Sequence, residues 1–490
     1  MTPKFLAERY LSENTDVAEG LNGASFSAAE HYEQYGRVEL RGYNDTGGTY
    51  NVETVSLCLD GHVFLTGWLN RKLHQNFDFV IRIGYQEFVI PREAFAFYRR
   101  DDISEHLREP GLRGAFVCLF SVGGALRANT VSFRLARHEI STPRPAHPKS
   151  PEAFFQEALT QLAFLTSYPP SATHNVGQFL TRALTPVWRK YLDNIKFTEV
   201  YTSTKLSAQA TPALSFLTVL YKDTTLLKPQ LLLMSQALPR SDVEWLYVIN
   251  KCGNLEEVLR DIAALDQLVP FSLRVIVASE NSGFSHANNF GAAQTRAPRV
   301  AFVNPDIFPA PGLEKTLDGL LNVPLPLKVL VGSQLSYGNG ALMHDGMYIA
   351  ENASYNEETA SAMSLLRVEH FGKDARAHAG SNQPRMRNVP AVSGAFWQFQ
   401  RETLLNLGGL STDYFLAHYE DADFCLRLWE QGGQVRVFGP SALLHHEGVG
   451  SHSSPIGLTT RWLNRHIFSD RWRDSYKAIM AGANVNVEKS

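Results

Sequence analysis

Four apolar segments of strand character alternate with helical segments between residues 214 and 309, and this alternation restricts the possible folds more than any other feature. The strand segments read LSFLTVLY, EWLYVINKCGN, FSLRVIVASENSGF and RVAFVNPDIFP, with the helical segments LEEVLRDIAALDQL and HANNFGAAQTR between them. Continuous apolar strands that alternate with helices build a mostly parallel sheet covered on both faces. The region is therefore predicted to be an α/β domain with a doubly wound, Rossmann-like sheet.

Polar residues follow each of these predicted strands. In doubly wound sheets, ligands bind in the crevice outside the carboxyl ends of the strands. The residues at those ends are Tyr221-Lys222-Asp223, Asn250, Glu280-Asn281-Ser282-Gly283 and Asn304-Pro305-Asp306. The sequence thus predicts a polar ligand site at this edge of the sheet.

The other parts of the chain differ in composition from this region. Residues 1–48 have helical spacing, and residues 49–142 alternate between apolar and polar positions with Gly-containing turns, which predicts an antiparallel β-sandwich. A Pro-rich segment, STPRPAHPKSP, opens a linker and helical brace over residues 143–210, and the brace is compatible with an oligomer interface. The α/β domain is predicted over residues 211–475 and a tail over 476–490.

Aromatic side chains in the predicted sandwich have two interpretations, because aromatic rings both fill cores and stack on sugar rings. The candidates are Trp68, Phe77, Phe79, Tyr85 and Tyr98.

Composition excludes several classes of protein. A chain of 490 residues is too long for one core, and roughly two to four domains are expected. The net charge of -3 argues against a nucleic-acid partner held by a broadly basic surface. The 4 cysteines lack CxxC spacing, so buried thiols are expected rather than a zinc site. Since no segment has the length and apolarity of a signal peptide or a membrane span, we expect a cytoplasmic protein, at most peripheral to the inner face of the membrane.

Asp306 is the first candidate metal ligand, because it follows the apolar segment AFVN at the end of the fourth predicted strand. A carboxylate there can hold a divalent cation whose other ligands are diphosphate oxygens and water, although a turn-capping aspartate fits the pattern equally well. His445-His446 end a further strand segment, SALLHH. A neutral imidazole there can share the cation, or can simply face solvent at a strand end.

Three carboxylates, Glu420, Asp421 and Asp423, lie within four residues at the predicted start of a helix. One acid at a helix start is ordinary capping chemistry, but three repel one another, which favours a functional use. A neighbouring acid raises the pKa of a carboxyl group toward the range of a general base. Gly283 and Asn289 flank another helix start, where ligand contact and turn chemistry fit equally well.

Three segments, taken in order, resemble one enzyme family. ENSGFSHANNFGAA is similar to an N-x-G-F-x-x-x-N-N-x-G segment, AFVNPDIFPAPG to a metal-binding strand end, and the block from VSGAFWQF through HYEDADF to LLHHEGVGS to an acceptor-side region. Together they resemble the inverting family 2 glycosyltransferases of the GT-A fold, including bacterial surface-polysaccharide and rhamnosyl-type enzymes. The resemblance covers about residues 211 to 470.

The resemblance implies a metal-dependent inverting glycosyltransferase that moves a sugar from a UDP- or dTDP-sugar to a hydroxyl of a glycan or lipid-linked acceptor. It makes Asp421 the general base with Glu420 beside it, and gives Mg²⁺ or Mn²⁺ the ligands Asp306, His445 and, less directly, His446. The other implied or predicted site residues are substrate contacts: Tyr221, Asn250, Asn281, Gly283 and Asn289 for the nucleotide and sugar, Gly394 and Ala395 for the sugar pocket, Trp397 for the acceptor groove, and Asp423 near the base.

The sequence departs from the family pattern at two positions. Asn304 stands where the metal motif has its first acid, and Asn250 stands where many relatives carry an aspartate for the nucleotide. One alternative is therefore a non-catalytic carbohydrate-binding or assembly protein with a degraded transferase domain. Another is a hydrolase with paired carboxylates or a His-based metal centre, but no HExxH spacing or second acid supports it.

Overall fold

The structure is a computed structural model that describes residues 50–70, 78–106, 113–135, 141, 143–205, 211–251, 253–356, 361–375, 385–446, 454–483 and 485. The predicted helical module at 1–48, Phe77 and the last residues of the predicted tail lie outside this described part. The chain divides into two compact units, Met1–Val187 (unit 1) and Trp188–Ser490 (unit 2). Among the described helices, none combines the length and apolar character needed to cross a membrane.

The described strands of unit 1 are short and are followed by helices. The strands are β1 (Tyr50–Leu57), β2 (His62–Leu69), β3 (Phe79–Ile83), β4 (Gln86–Ile90), β5 (Phe95–Tyr98), β6 (Ala115–Ser121), β7 (Thr130–Leu135) and β8 (Arg144–Pro145). The helices are α1 (Asp101–His106), α2 (Pro151–Gln161) and α3 (Pro170–Asp193, which contains the unit boundary), with short 3₁₀ helices at Arg92–Ala94 and Ala163–Ser167.

The strands of unit 1 form two four-stranded antiparallel sheets, ordered β1-β2-β6-β5 and β4-β3-β7-β8. Phe79 of the second sheet packs edge-on against Tyr50 and Phe116 of the first, with ring centroids 5.4 and 6.1 Å apart. The two sheets therefore share one core and form a sandwich. Trp68, Phe79 and Tyr98 are buried and pack in the interior, whereas Tyr85 is fully exposed.

Strands and helices alternate over residues 214–321 of unit 2, and a run of consecutive strands follows. Its elements are β9 (Phe197–Thr202), β10 (Leu214–Tyr221), α4 (Leu227–Ala237), β11 (Val243–Asn250), α5 (Leu255–Asp266), β12 (Ser272–Ala278), α6 (Gly283–Gln294), β13 (Arg299–Val303), β14 (Ile307–Pro309), α7 (Glu314–Leu321), β15 (Val329–Ser336), β16 (Leu342–His344), β17 (Met347–Asn356), β18 (Ser361–His370), β19 (Arg385–Asn388), β20 (Phe396–Gln400), α8 (Arg401–Asn406), α9 (Glu420–Glu430), β21 (Gln434–His445), α10 (Pro455–Trp472) and α11 (Tyr476–Gly482).

The sheet of unit 2 has the order β14-β21-β15-β20-β13-β10-β11-β12-β9, with β16 and β19 attached at its side. The predicted α/β class is confirmed, but the prediction of a mostly parallel sheet is wrong. Strands β12, β11, β10 and β13 run parallel, whereas β9, β20 and β14 join the sheet in antiparallel pairs. The prediction failed because it rested on the apolar strands β10 to β13, whereas the strands that flank this group, β9 and β20, pair with it in antiparallel orientation.

Two cores lie on opposite faces of this sheet, as the alternation of side chains requires. In β11, Trp245, Tyr247 and Ile249 face the core that includes α4, α5 and α7, whereas Leu246 and Val248 face the core that includes α6 and α8 to α11. Residues 476–482, predicted as tail, form α11, and its Tyr476 and Met480 are buried in the second core. The sheet is therefore covered on both faces and leaves its strand ends for a ligand.

Candidate functional site

The order in which strands are added to the sheet reverses between β10 and β13, and this switch point brings together the predicted site segments. The chain builds β10, β11 and β12 outward in order, then returns to add β13 on the other side of β10. A crevice at such a point is the usual ligand site of a doubly wound sheet. Because β20 runs antiparallel to β13, Phe396 lies opposite Val303, and the N–H of Asn304 donates to the carbonyl of Ala395 at 2.9 Å.

Asp306 and His445 are in direct contact in this crevice. Strand β14 pairs with the end of β21, with Ile307 opposite His445, and His445 Nε2 lies 3.2 Å from Asp306 Oδ2. His446 donates its backbone N–H to the carbonyl of Asp306 at 2.9 Å, but its side chain is exposed. Asp306 Oδ1 and His445 Nδ1 are buried without a hydrogen-bond partner among the described residues. Buried polar atoms of this kind call for a ligand or an ion.

The described residues provide no group of three or more His, Cys, Asp or Glu side chains arranged to hold a metal ion. The Asp306–His445 pair therefore supplies one carboxylate and one imidazole, and any cation bound there would take its other ligands from substrate and water. This donor set fits a Mg²⁺ or Mn²⁺ site of the open kind, in which diphosphate oxygens and waters complete the coordination.

The turn before β20 connects the Asp306 loop to the predicted base. The N–H of Gly394 donates to Asp421 Oδ2 at 3.1 Å, and the N–H of Ala422 donates to Asp421 Oδ1 at 2.8 Å. Ala395, the next residue after Gly394, accepts from Asn304. A short path of backbone hydrogen bonds thus connects the loop of the metal candidate with the carboxylate of Asp421.

The first two acids of α9 have perturbed proton affinities. Burial, followed by the charge of Asp421, raises the pKa of Glu420 well above its usual value, and Glu420 Oε2 has no partner among the described residues. Burial also raises the pKa of Asp421, although its backbone hydrogen bonds oppose the shift. Glu420 is the more deeply buried of the two, so we assign the proton that the pair retains to Glu420.

The segment before these acids has an uncommon backbone conformation. His418 and Tyr419 have φ values of 90° and 73°, in the left-handed region that non-glycine residues seldom occupy. Left-handed non-glycine residues cost free energy and cluster at functional sites. This left-handed segment leads directly into the first turn of α9, where Asp421 lies.

Asp423 has a different environment from the other two acids. Its side chain is 0% exposed, and its Oδ1 accepts from Tyr414 Oη, Arg471 Nη1 and Trp472 Nε1 at 3.1, 2.8 and 2.9 Å. Its Oδ2 accepts from Arg427 Nε at 2.8 Å. A carboxylate with four protein donors and no exposed surface cannot touch a substrate in this conformation. The predicted substrate contact is therefore corrected: Asp423 ties α9 to α10.

The residues predicted to hold the nucleotide hold the protein's own loop instead. Asn250 Oδ1 accepts from the backbone and hydroxyl of Ser282 at 3.2 and 2.7 Å, and its Nδ2 donates to the carbonyl of Gly283 at 3.2 Å. Asn281 Oδ1 accepts from the N–H of Gly283 at 3.1 Å, and its carbonyl accepts from Tyr191 Oη at 2.9 Å. Both asparagines are buried. They therefore shape the loop between β12 and α6 in this structure.

Tyr221 and Gly283 remain at the crevice with clear local roles. Tyr221 ends β10 and is half-buried, with Lys222 Nζ 5.1 Å from its ring centroid. Gly283 begins α6 with a φ of 72°, and a Cβ atom there would lie 2.8 Å from the carbonyl oxygen of Leu416. Only glycine fits this position without strain, so the predicted close approach is between two backbone segments.

Asn289 and Trp397 also have structural environments. Asn289 Oδ1 accepts from the N–H of Leu410 at 2.7 Å and its Nδ2 donates to the carbonyl of the same residue at 2.8 Å. Trp397 is 0% exposed, stacks on Phe424 and donates its Nε1 to the carbonyl of Val392 at 3.2 Å. A fully buried ring cannot line an acceptor groove, so that prediction for Trp397 is corrected.

His344 is a site residue that the sequence analysis missed. It is buried, and its Nε2 accepts from the backbone N–H groups of Gly346 and Ser393, each at 3.3 Å. Because Nε2 is an acceptor, Nδ1 must carry the proton and donate to Nδ1 of His370 at 2.8 Å. Burial lowers the pKa of His344 well below its usual value, which keeps the ring neutral. His344 thus supports the turn that carries Gly394, and a single histidine in a short strand gave no sequence signal for that role.

Comparison with known proteins gives partial matches. No protein-family model matches the chain. The chain is 29% identical over 179 residues to the uncharacterized protein y4gI of Sinorhizobium fredii (strain NBRC 101917 / NGR234), which is 36% of this chain and 18% of that protein. The chain thus spans less than a fifth of the length of this curated relative.

Several solved structures are similar to part of the chain. GalNAc-T7 with UDP, GalNAc and Mn²⁺ has 13% identity and a TM-score of 0.37, over 55% of this chain and 50% of that one. The mannosyltransferase PcManGT of Pyrobaculum calidifontis with GDP-Man and Mn²⁺ has 14% identity and a TM-score of 0.33, over 66% and 87%. TarS residues 1–349 of S. aureus with UDP-GlcNAc have 12% identity and a TM-score of 0.33, over 49% and 60%. At this level of similarity, the matches do not by themselves define an activity.

Proposed function

We propose that unit 2 is a metal-dependent inverting glycosyltransferase that uses a nucleotide-sugar donor, as the sequence resemblance implies. The observation that carries the proposal is the convergence of the Asp306–His445 pair and Asp421 on one edge of the sheet, at its switch point. A metal-ligand pair and a perturbed carboxylate in one crevice are the two groups that the reaction needs.

The proposed metal ligands are Asp306 and His445. Their unpartnered buried atoms, Asp306 Oδ1 and His445 Nδ1, support a site that is completed by another molecule. A bound Mg²⁺ or Mn²⁺ offsets the charge that develops on a leaving nucleoside diphosphate. His446 stays the weaker candidate, since its exposed side chain would have to turn toward the pair.

The proposed general base is Asp421. Two backbone N–H groups orient its carboxylate, and the partly buried side chain can accept the proton of an acceptor hydroxyl as that oxygen attacks. Burial raises the pKa of Asp421, which makes the carboxylate a stronger base than an exposed aspartate. A base that activates the acceptor directly leads to a single in-line displacement, which inverts the anomeric centre.

The proposed role of Glu420 is to retain a proton beside this base. With Glu420 neutral and Asp423 neutralised by Arg427 and Arg471, Asp421 is the acid of this group that carries an available negative charge. This arrangement accounts for three acids within four residues at the start of one helix.

The proposed donor is a UDP- or dTDP-sugar bound across the ends of β10 and β13, where Tyr221 offers an aromatic face and the Gly394–Ala395 turn offers backbone groups. The proposed acceptor is a hydroxyl of a glycan or lipid-linked saccharide. The corresponding cellular role is surface-polysaccharide synthesis in the cytoplasm, with association at the inner face of the membrane. The predicted domain boundaries, with β9 and α11 added to the α/β domain, and a homo-oligomeric state are further parts of this proposal.

Donor hydrolysis and binding provide the test, because neither requires the acceptor to be known. The full chain is incubated with UDP- and dTDP-sugars in Mn²⁺, in Mg²⁺ and in EDTA, and release of the nucleoside diphosphate is measured. We expect metal-dependent release that Asp306→Ala abolishes and that Asp421→Asn reduces without loss of donor binding.

A non-catalytic carbohydrate-binding protein is the second candidate. The environment of Asn250 favours it, because the side-chain amide already bonds to Ser282 and Gly283 and is not free to hold a nucleotide. Binding of a saccharide with no release of diphosphate in any of the three conditions would support this second candidate. An absence of both binding and release would reject both candidate functions.

A further inference from the structure

Gln230 is a polar side chain on the apolar face of a helix. It lies in α4 at helical spacing with Leu227, Leu231 and Met234, which all pack in the same core. Its exposure is 0%. An amide buried at such a position is unfavourable unless its hydrogen bonds are made, so its partners indicate its use.

The partners of Gln230 are the two backbone groups on either side of Asp306. Gln230 Nε2 donates to the carbonyl of Asn304 at 2.6 Å and to the carbonyl of Ile307 at 3.0 Å. Carbonyl oxygens only accept, so the amide orientation is fixed with its NH₂ group toward the loop. On the other side, Tyr247 Oη lies 3.5 Å from Gln230 Oε1, and burial raises the pKa of Tyr247 so that its hydroxyl stays protonated and donates.

Backbone hydrogen bonds also hold the loop. The N–H of Asn304 donates to Ala395, the carbonyl of Asn304 accepts from Ile307, and the carbonyl of Asp306 accepts from His446. The loop is thus fixed from three sides, and Gln230 provides the contact from the interior. The carboxylate of Asp306 projects from this frame with one oxygen toward His445 and the other unpartnered among the described residues.

We propose that Gln230 is a positioning residue for the metal site, which holds the Asp306 loop so that Asp306 and His445 present their ligand atoms together. The inference rests on the proposed function, since it assigns a cation to this pair. Residues that orient metal ligands without touching the metal change metal affinity by about 10- to 100-fold when they are replaced.

The test is the affinity of the full chain for Mn²⁺, measured by electron paramagnetic resonance of the free ion, with Mn²⁺ alone and with added UDP or dTDP. We expect Gln230→Leu to raise the Kd for Mn²⁺ by about 10- to 100-fold. Asp306→Ala sets the level of complete loss. Met234→Leu is the matched control on the same buried face of α4, conserves volume, and should stay within about twofold of the wild type.

The outcomes separate the inference from the proposed function. If the wild type binds no Mn²⁺ alone or with either nucleotide, the proposed metal site is wrong, and the inference falls with it. If the wild type binds Mn²⁺, Asp306→Ala does not, and Gln230→Leu binds as tightly as the wild type, the positioning role is wrong while the metal site stands. If Gln230→Leu has a lower Tm but an unchanged Kd for Mn²⁺, Gln230 contributes only to stability and the positioning role is wrong. If Gln230→Leu does not fold, the isosteric Gln230→Glu, which cannot donate to both carbonyls, takes its place in the same measurement.

Discussion

Asp421 and Asp423 lie two residues apart on one helix, yet their replacement by asparagine should have opposite consequences. Asp423→Asn removes the charge from a fully buried carboxylate that accepts from Arg427 and Arg471. It also puts an NH₂ group against donors that need an acceptor. Loss of one partner in a buried ion pair costs about 3–5 kcal/mol. For a unit as long as Trp188–Ser490, roughly 2 °C per kcal/mol applies, and Tm should fall by about 6–10 °C.

Asp421→Asn should leave stability nearly unchanged. Burial of the carboxylate of Asp421 is unfavourable, as its raised pKa indicates, so a neutral side chain removes that cost. One of the hydrogen bonds from Gly394 and Ala422 is lost because asparagine has a single acceptor oxygen, which costs about 1 kcal/mol. The predicted shift in Tm is therefore within about 4 °C, while diphosphate release from the donor should be reduced.

Thermal unfolding followed by tryptophan fluorescence measures the effect on unit 2. Of the seven tryptophans, only Trp68 precedes residue 188, so the signal reports chiefly on this unit. Donor release is then assayed below the lower of the two Tm values. An Asp423→Asn variant as stable as the wild type, or an Asp421→Asn variant that is fully active, would refute the division of roles between these acids.

Three further predictions concern residues around the same helix. Glu420→Gln should gain stability relative to the wild type as the pH rises above 4.5, the ordinary pKa of a glutamate. Because the pKa of Glu420 is raised in the folded protein, its contribution to the stability of the wild type is complete below that ordinary pKa and is lost as the pH rises through the folded-state pKa. A difference in Tm between the two proteins that does not grow with pH contradicts this. His344→Leu removes the acceptor of the backbone N–H groups of Gly346 and Ser393, and should lower the free energy of unfolding in urea by about 1–3 kcal/mol. His344→Gln, which keeps an acceptor, should recover part of this loss. Equal losses in both variants would exclude the acceptor role. Gly283→Ala should lower the free energy of unfolding by about 1–3 kcal/mol, because Gly283 has a φ of 72° and a Cβ there would lie 2.8 Å from the carbonyl oxygen of Leu416. A wild-type Tm in calorimetry would instead show that the loop relaxes freely.

Some features of the site could be predicted because they depend on local sequence. Asp306 lies in the short loop between β13 and β14, and the three acids lie in the first turn of α9, so their positions at element ends were set by adjacent residues. The contact between Asp306 and His445 follows once both strand ends reach the same edge. Gln230 also left a signal, a polar residue within the apolar stripe of LKPQLLLM, although the sequence did not say what it holds.

The functions of similar residues could not be separated in the same way. Asp421 and Asp423 belong to one motif, but only the approach of Arg471 from α10 and of Arg427 one turn later makes Asp423 a buried ion pair. Asn250 and Trp397 were predicted as ligand contacts from their positions in motifs. Their side chains instead form hydrogen bonds within the protein, Asn250 with Ser282 and Trp397 with the carbonyl of Val392. A side chain's hydrogen-bond partners depend on long-range packing, which a pattern of neighbouring residues does not encode.

By itself, the sequence determined the α/β class and the parallel orientation of β10, β11, β12 and β13, because continuous apolar strands and the helices between them are patterns of neighbouring residues. It also located Asp306 and Asp421 at element ends. Only the tertiary structure decided that the sheet is mixed, that Asp423 is an internal ion pair, and that Gln230 reaches the loop of Asp306. Those results depend on which distant segments meet, since the energy of a buried polar group is set by the partner that packing brings to it.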